Sequence, residues 1–126
     1  MVDRPKLDQM LSSLRGYVQS LRGLGTTPRD EFLANPAKVG NAKYHLPIAS
    51  ECCIDIANHI IASENYRFPK DNADSFSVLL EHGVIESSQG EGLWQMARFR
   101  NRLVHLYWEV DDLDRFARAV AERDWK

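Results

Sequence analysis

Residues 48–62 read "IASECCIDIANHIIA", and nearly every position except Glu51, Asp55, Asn58 and His59 is apolar or small. At about 100° per residue, the apolar side chains cover most of a helix circumference and leave a narrow polar strip through Asp55 and His59. A helix of this kind packs on several sides at once, so this stretch is expected at the centre of an all-α bundle.

Upstream, Asn35 followed by Pro36 has the form of an N-cap with proline at the first helical position. The central helix is therefore expected from Pro36 to about Glu64. Pro47 within it should remove one backbone hydrogen bond and bend the helix, and Gly40 weakens the same half.

Further toward the N-terminus, Leu7, Met10, Leu11, Leu14, Val18 and Leu21 recur at spacings of three and four. That periodicity predicts an amphipathic helix from Asp3 to Leu24, with Pro5 in its first turn and Gly23 and Gly25 ending it. Downstream, "YRFPKDNAD" reads as a turn, and Asp74 is positioned to cap a short helix that stops at Gly83.

"ESSQGEG" (86–92) reads as a polar connection. A fourth major helix is expected from about Gly92 to His105, and "DDLDRFARAVAERDW" (111–125) supplies a last amphipathic one. No run of alternating β-branched residues argues for a sheet. The expectation is one domain over 1–126, an up-and-down bundle of four or five helices.

Composition sets limits on function. With 44% hydrophobic and 27% charged residues the chain is ordinary for a soluble globular domain. A net charge of −2 and a pI near 6.1 provide no global field for attracting nucleic acid, so any polyanion binding must come from a local patch. The only cysteines are the adjacent pair Cys52 and Cys53, which fits a reducing compartment. No apolar run approaches the length of a membrane span, and the N-terminal segment has no signal-peptide core. A cytoplasmic, soluble protein without membrane attachment is expected.

A local patch is present in "ARFRNRLVHLYWEV" (97–110). On a continuous helix Leu93, Met96, Ala97, Arg100, Leu103, Val104 and Tyr107 would share one face, with Arg100 near its centre. Burying a guanidinium without compensation is costly. An ion pair with Asp55, or snorkelling to solvent, would be the structural answer. Asp55 and His59, one turn apart, are themselves expected to form an ordinary polar pair rather than a metal site, since no third ligand stands at suitable spacing.

His105 lies roughly 140° around the helix from Arg100, while Asn101 faces His105. Arg98, Arg100 and Arg102 have no acidic residue between Leu93 and Trp108, and Trp94, Phe99, Tyr107 and Trp108 interleave aromatics. Such a cationic, stackable patch suits RNA, although a charge cluster is more often simply a solvated face.

"RNRLVHLY" (100–107) resembles the R-x4-H-x-Y motif of HepT-type HEPN toxins, with Arg100, His105 and Tyr107 at the motif positions and Asn101 directly after the arginine. The likeness extends to "IASECCIDIANHIIA", which resembles that family's long helix, to "FSVLLEHGVI" (76–85), and to the trailing "WEVD".

The resemblance implies a HEPN-type bundle acting as a homodimeric, metal-independent ribonuclease toxin with no cofactor. Its partners would be RNA and a neighbouring MntA-type minimal nucleotidyltransferase antitoxin. Arg100 and His105 would be the catalytic pair, Asn101 a supporting residue, Arg98 and Arg102 RNA-binding candidates, and Tyr107 the site of AMP transfer.

Histidine suits both proton-transfer roles of RNA cleavage near neutral pH, and arginine suits the charge developing on phosphorane oxygens. One chain offers a single motif histidine. A two-fold dimer would bring a second, so substitutions near Leu93, Met96 or Val104 are expected to separate subunits and abolish cleavage. Two competing readings need no Arg100–His105 pair: a non-catalytic nucleotide- or substrate-binding subunit of a nucleotidyltransferase, and a structural helical adaptor.

Overall fold

A computed structural model of the chain describes residues 1–98 and 106–125, with side chains at all of these positions except 106–112. Among the described residues there are six helices and no strand: α1 (Arg4–Gly25), α2 (Arg29–Leu33), α3 (Pro36–Ser63), α4 (Asn72–Glu81), α5 (Ser87–Arg98) and α6 (Leu106–Glu122). The all-α expectation holds, with one helix more than expected: α2 is a single short turn of chain that buries Phe32.

α1 begins where Asp3 Oδ1 accepts a hydrogen bond from Lys6 N at 3.2 Å, and Pro5 occupies its first turn. It buries Leu7, Leu11, Leu14, Val18, Leu21 and Leu24, so the expected stripe holds except at Met10, which is half-buried. α3 begins as expected, with Asn35 Oδ1 accepting from Ala37 N at 3.1 Å and Lys38 N at 3.2 Å. It continues as one helix through Pro47. It packs against α1, α2, α4, α5 and α6, which makes it the central element.

α1 runs antiparallel to α3. Near one end the N-terminal ammonium of Met1 bonds to Ser63 O, midway Cys52 Sγ approaches Met10 O, and near the other end Lys38 Nζ donates to Thr27 Oγ1. α6 is also antiparallel to α1, since Arg4 reaches Ala121 O while Arg22 pairs with Asp114. Leu106 therefore lies toward the C-terminal end of α1, about 22 Å along α6 from Ala121 at 1.5 Å per residue.

Phe76 of α4 and Phe116 of α6 meet edge to face in the core, with centroids 5.7 Å apart at 85°. Both are fully buried.

Three helix boundaries differ from expectation, one of them being the start of α6, which opens at Leu106 rather than at Asp111. The N-cap of α4 is Asp71, whose Oδ1 accepts from Asp74 N at 2.7 Å; Asp74 is instead taken up by Arg67 and by Lys70 N. α5 begins at Ser87, so the polar run 86–92 is mostly helical. Gln89 Oε1 accepts from Glu86 N at 3.0 Å, the back-bonding half of a capping box, and this satisfies a donor that a loop would leave to water.

α4 ends as expected at Gly83, which has φ 70°. Val84 N bonds to Leu79 O and Gly83 N to Leu80 O, the paired bonds of a Schellman ending that only a left-handed residue permits at low cost. No helix among the described residues is long and apolar enough to cross a membrane.

Candidate functional site

The motif begins between two described helices in the sequence and ends inside the second. α5 ends its described course at Arg98 and α6 opens its own at Leu106, and the two helices pack against each other. Arg100, Asn101, Arg102 and His105 lie outside the described residues, as do Phe99, Leu103 and Val104 of the expected stripe. Tyr107 is in the first described turn of α6, with its side chain outside the description.

On the near side, Leu93 and Met96 fix α5. They are 0% and 2% exposed, and they belong to the chain's own core together with Phe76, Leu79, Phe116 and Val120. This corrects the expectation that Leu93 and Met96 form a subunit boundary: the helix face they occupy is covered by the same chain. α6 is pinned likewise through Leu113, Phe116, Ala117 and Val120.

Arg98, a candidate for RNA contact, is exposed at the end of α5. Its guanidinium carbon stands 4.9 Å from the centroid of the Trp94 ring, one helical turn earlier. Trp94 is itself 38% exposed, so a cation and an aromatic face are offered to solvent directly before the motif. The i,i+4 spacing of Trp94 and Arg98 was the signal in the sequence for this pair.

Midway along α6, Asp114 gathers Arg22 from α1 at 3.5 Å and Arg118 of its own helix at 3.2 Å. The bridge from Arg22 ties the helix carrying Tyr107 to α1.

Asp55 and His59 do not form the expected polar pair. Asp55 is exposed and lines a cleft of about 400 Å³ between α1 and α3, together with Met10, Tyr17, Pro47, Glu51 and Cys52. His59 Nε2 is enclosed without a hydrogen-bond partner among the described residues. In that cleft burial, and then the charge of Asp55, push the Cys52 thiol up to about 11. Cys53, fully buried, is raised well above the ordinary thiol value by burial.

Comparison with known proteins converges on one family. The ribonuclease HepT-like family model matches residues 9–119, a span that contains Arg98, Arg100, Asn101, Arg102, His105 and Tyr107. The mRNA nuclease HepT of Shewanella oneidensis is 31% identical over 94 residues, which cover 75% of this chain and 68% of that protein.

Among solved structures, a tri-AMPylated Shewanella oneidensis HEPN toxin in complex with MNT antitoxin superposes with a TM-score of 0.82 at 18% identity, over 98% of this chain and 100% of that one. A cytosolic protein of unknown function from Bacillus subtilis, YutE, gives a TM-score of 0.77 at 20% identity, over 95% and 89% of the two chains. These likenesses establish the HEPN-type bundle. With the family match over most of the sequence, they lead to one conclusion: the chain belongs to the ribonuclease HepT-like family.

Proposed function

We propose that this chain is the endoribonuclease toxin of a toxin–antitoxin pair, cutting RNA without a metal ion and silenced by AMP transfer to Tyr107. The observation that carries the reading is the complete R-x4-H-x-Y set, Arg100 to Tyr107, inside the region matched by a ribonuclease family. The mRNA nuclease relative and the toxin–antitoxin complexes of the same fold support it.

In the proposed reaction His105 takes the proton of a ribose 2′-hydroxyl as that oxygen attacks the adjacent phosphorus. The bond to the departing 5′-oxygen breaks, and that oxygen receives a proton from an acid. The products are a 2′,3′-cyclic phosphate and a 5′-hydroxyl. Arg100 stabilises the charge that builds on the non-bridging oxygens, and Asn101 supports the pair.

A homodimer supplies the second proton-transfer group as the other copy of His105. Its boundary is formed by surfaces other than Leu93 and Met96, which the chain's own core consumes. Arg98 and Arg102 guide the phosphate backbone, with Trp94 beside Arg98 as a stacking face.

In the regulatory step the Tyr107 hydroxyl attacks the α-phosphorus of ATP on an MntA-type nucleotidyltransferase. An O–P bond forms, pyrophosphate leaves, and the phenolic proton is lost. AMP two residues from His105 adds bulk and negative charge where substrate phosphate must lie.

Intact-mass measurement after incubation with that nucleotidyltransferase, ATP and magnesium tests the regulation. The expected result is a gain of AMP that Tyr107→Phe abolishes and that coincides with loss of RNA cleavage. A gain that survives Tyr107→Phe contradicts the assignment.

A further inference from the structure

The turn between α3 and α4 holds an aromatic side chain out into solvent by design of its neighbours. Phe68 is 93% exposed, yet the residues on both sides of it are fixed. The Tyr66 ring lies flat on the His82 ring, 3.6 Å between centroids at 3°. The Arg67 guanidinium bonds both oxygens of Asp74, at 2.8 and 3.0 Å, and also Glu81, with a shortest contact of 2.6 Å.

After it comes Pro69, and Lys70 N donates to Asp74 Oδ2 at 2.8 Å. Asn65 adopts φ 56°, and Tyr66 N bonds to Ile61 O, so the exit from α3 is also set. A large apolar side chain on so constrained a backbone loses little freedom when it docks, which is how anchor residues of interfaces work.

Phe68 itself forms one wall of a cavity of about 590 Å³, whose other lining residues are Asn58, Ile61, Ala62, Asn65, Tyr66 and Pro69. Knob and hole therefore belong to the same patch. The patch also carries adjacent exposed charges of opposite sign, Lys70 and Asp71. Asp71 uses one carboxylate oxygen, Oδ1, to cap α4.

A surface with its own knob, its own hole and both signs of charge is complementary to itself under a two-fold rotation. We infer that this patch is a self-association surface: Phe68 of one copy enters the cavity beside Phe68 of a second copy, while Lys70 of each copy faces Asp71 of the other.

This contact is separate from the dimer that joins two motifs. The turn sits with the N-terminus of α1 and the C-terminal ends of α3 and α6, whereas Leu106 and Tyr107 lie toward the other end of α6. The inference therefore stands apart from the ribonuclease reading and links motif-sharing dimers into larger assemblies.

Two aromatic side chains bury about 300–500 Å², well under the roughly 1,200 Å² of a standard stable interface. Association through this patch is accordingly weak and concentration-dependent. Burying one such ring is worth about ten- to a hundredfold in affinity.

Site-specific photocrosslinking on the full chain tests it. With p-benzoylphenylalanine in place of Phe68, irradiation should give a covalent dimer whose crosslinked peptide contains residues of the 58–62 segment of the other copy. Sedimentation equilibrium of Phe68→Ser, whose folding is verified by circular dichroism, should show self-association through this contact weakened at least tenfold, and Lys70→Glu should weaken it in the same direction.

Absence of a crosslinked dimer, crosslinks to another part of the surface, or unchanged association of Phe68→Ser overturns the proposal. A crosslink that forms only with the nucleotidyltransferase assigns the patch to that partner and also overturns it.

Discussion

Arg98 stands over Trp94, 4.9 Å from the ring centroid, at the last described turn before the motif. The pair is exposed, so its effect on folding is small, about 0.5–1 kcal/mol, and its consequence is for ligand binding. Arg98→Gln should leave helicity intact, weaken binding of single-stranded RNA, and reduce the salt dependence by about one phosphate contact. Fluorescence anisotropy at several salt concentrations, in a His105→Ala background that prevents cleavage, measures this; an unchanged salt slope removes Arg98 from the RNA-binding surface.

Leu93→Ala should unfold or strongly destabilise the chain rather than simply separate subunits. Leu93 is fully buried in the chain's own core, and such truncations cost about 2–5 kcal/mol. Urea unfolding should register that loss. A Leu93→Ala protein with undiminished stability but altered oligomeric state would return this face to the subunit boundary.

The Arg67 clamp gives a pH signature. Hydrogen bonds from Arg67, then from Lys70 N, hold the Asp74 carboxyl down to about 2 from an ordinary 3.8, and Arg67 also lowers Glu81. A carboxyl depressed in the folded state stabilises it above the ordinary value, and that stabilisation is lost as pH falls through the folded value. Unfolding midpoints should therefore decline between about pH 4 and pH 2, and Asp74→Asn should flatten that decline. The contribution is modest and fades with salt, because Arg67 is 42% exposed. An equally steep decline in Asp74→Asn would contradict the assignment.

Cys52 should be a sluggish nucleophile despite lining an open cleft. With its thiol raised to about 11 by burial and by Asp55, little thiolate exists near neutral pH. Alkylation by iodoacetamide should be far slower than that of a free thiol, should climb with pH toward that value, and should quicken in Asp55→Asn. Rapid labelling at neutral pH would show that the cleft solvates the thiolate.

Much of the bundle was legible in the sequence because the information is local. The Leu7 to Leu21 stripe, the Asn35–Pro36 cap and the Gly83 stop each specify a helix feature within one or two turns. What failed was competition between equally suitable partners. Asp71 and Asp74 are both able to cap α4, and the choice falls to Asp71 because Arg67, several residues earlier, takes Asp74. The glycines and serines of the 86–92 run favour a loop, while the side chain of Gln89 reaching back to Glu86 N holds it in a helix.

Leu93 and Met96 illustrate a different gap. Their spacing reveals that a face is covered, but not by what, and only their burial in one core with Phe76 and Phe116 assigns that cover to the same chain. For the site itself, the order Arg100, Asn101, His105, Tyr107 was readable as a pattern, and its chemistry rests on experiment.

Cleavage of RNA by the purified protein in EDTA, compared between the wild-type and His105→Ala proteins, bears most directly on the metal-independent mechanism. The proposed chemistry predicts that the wild type cuts in EDTA, leaving 2′,3′-cyclic phosphate ends, and that His105→Ala slows cleavage by at least about 10²-fold while remaining folded. Loss of wild-type cleavage in EDTA, or cleavage that persists in His105→Ala, would contradict it.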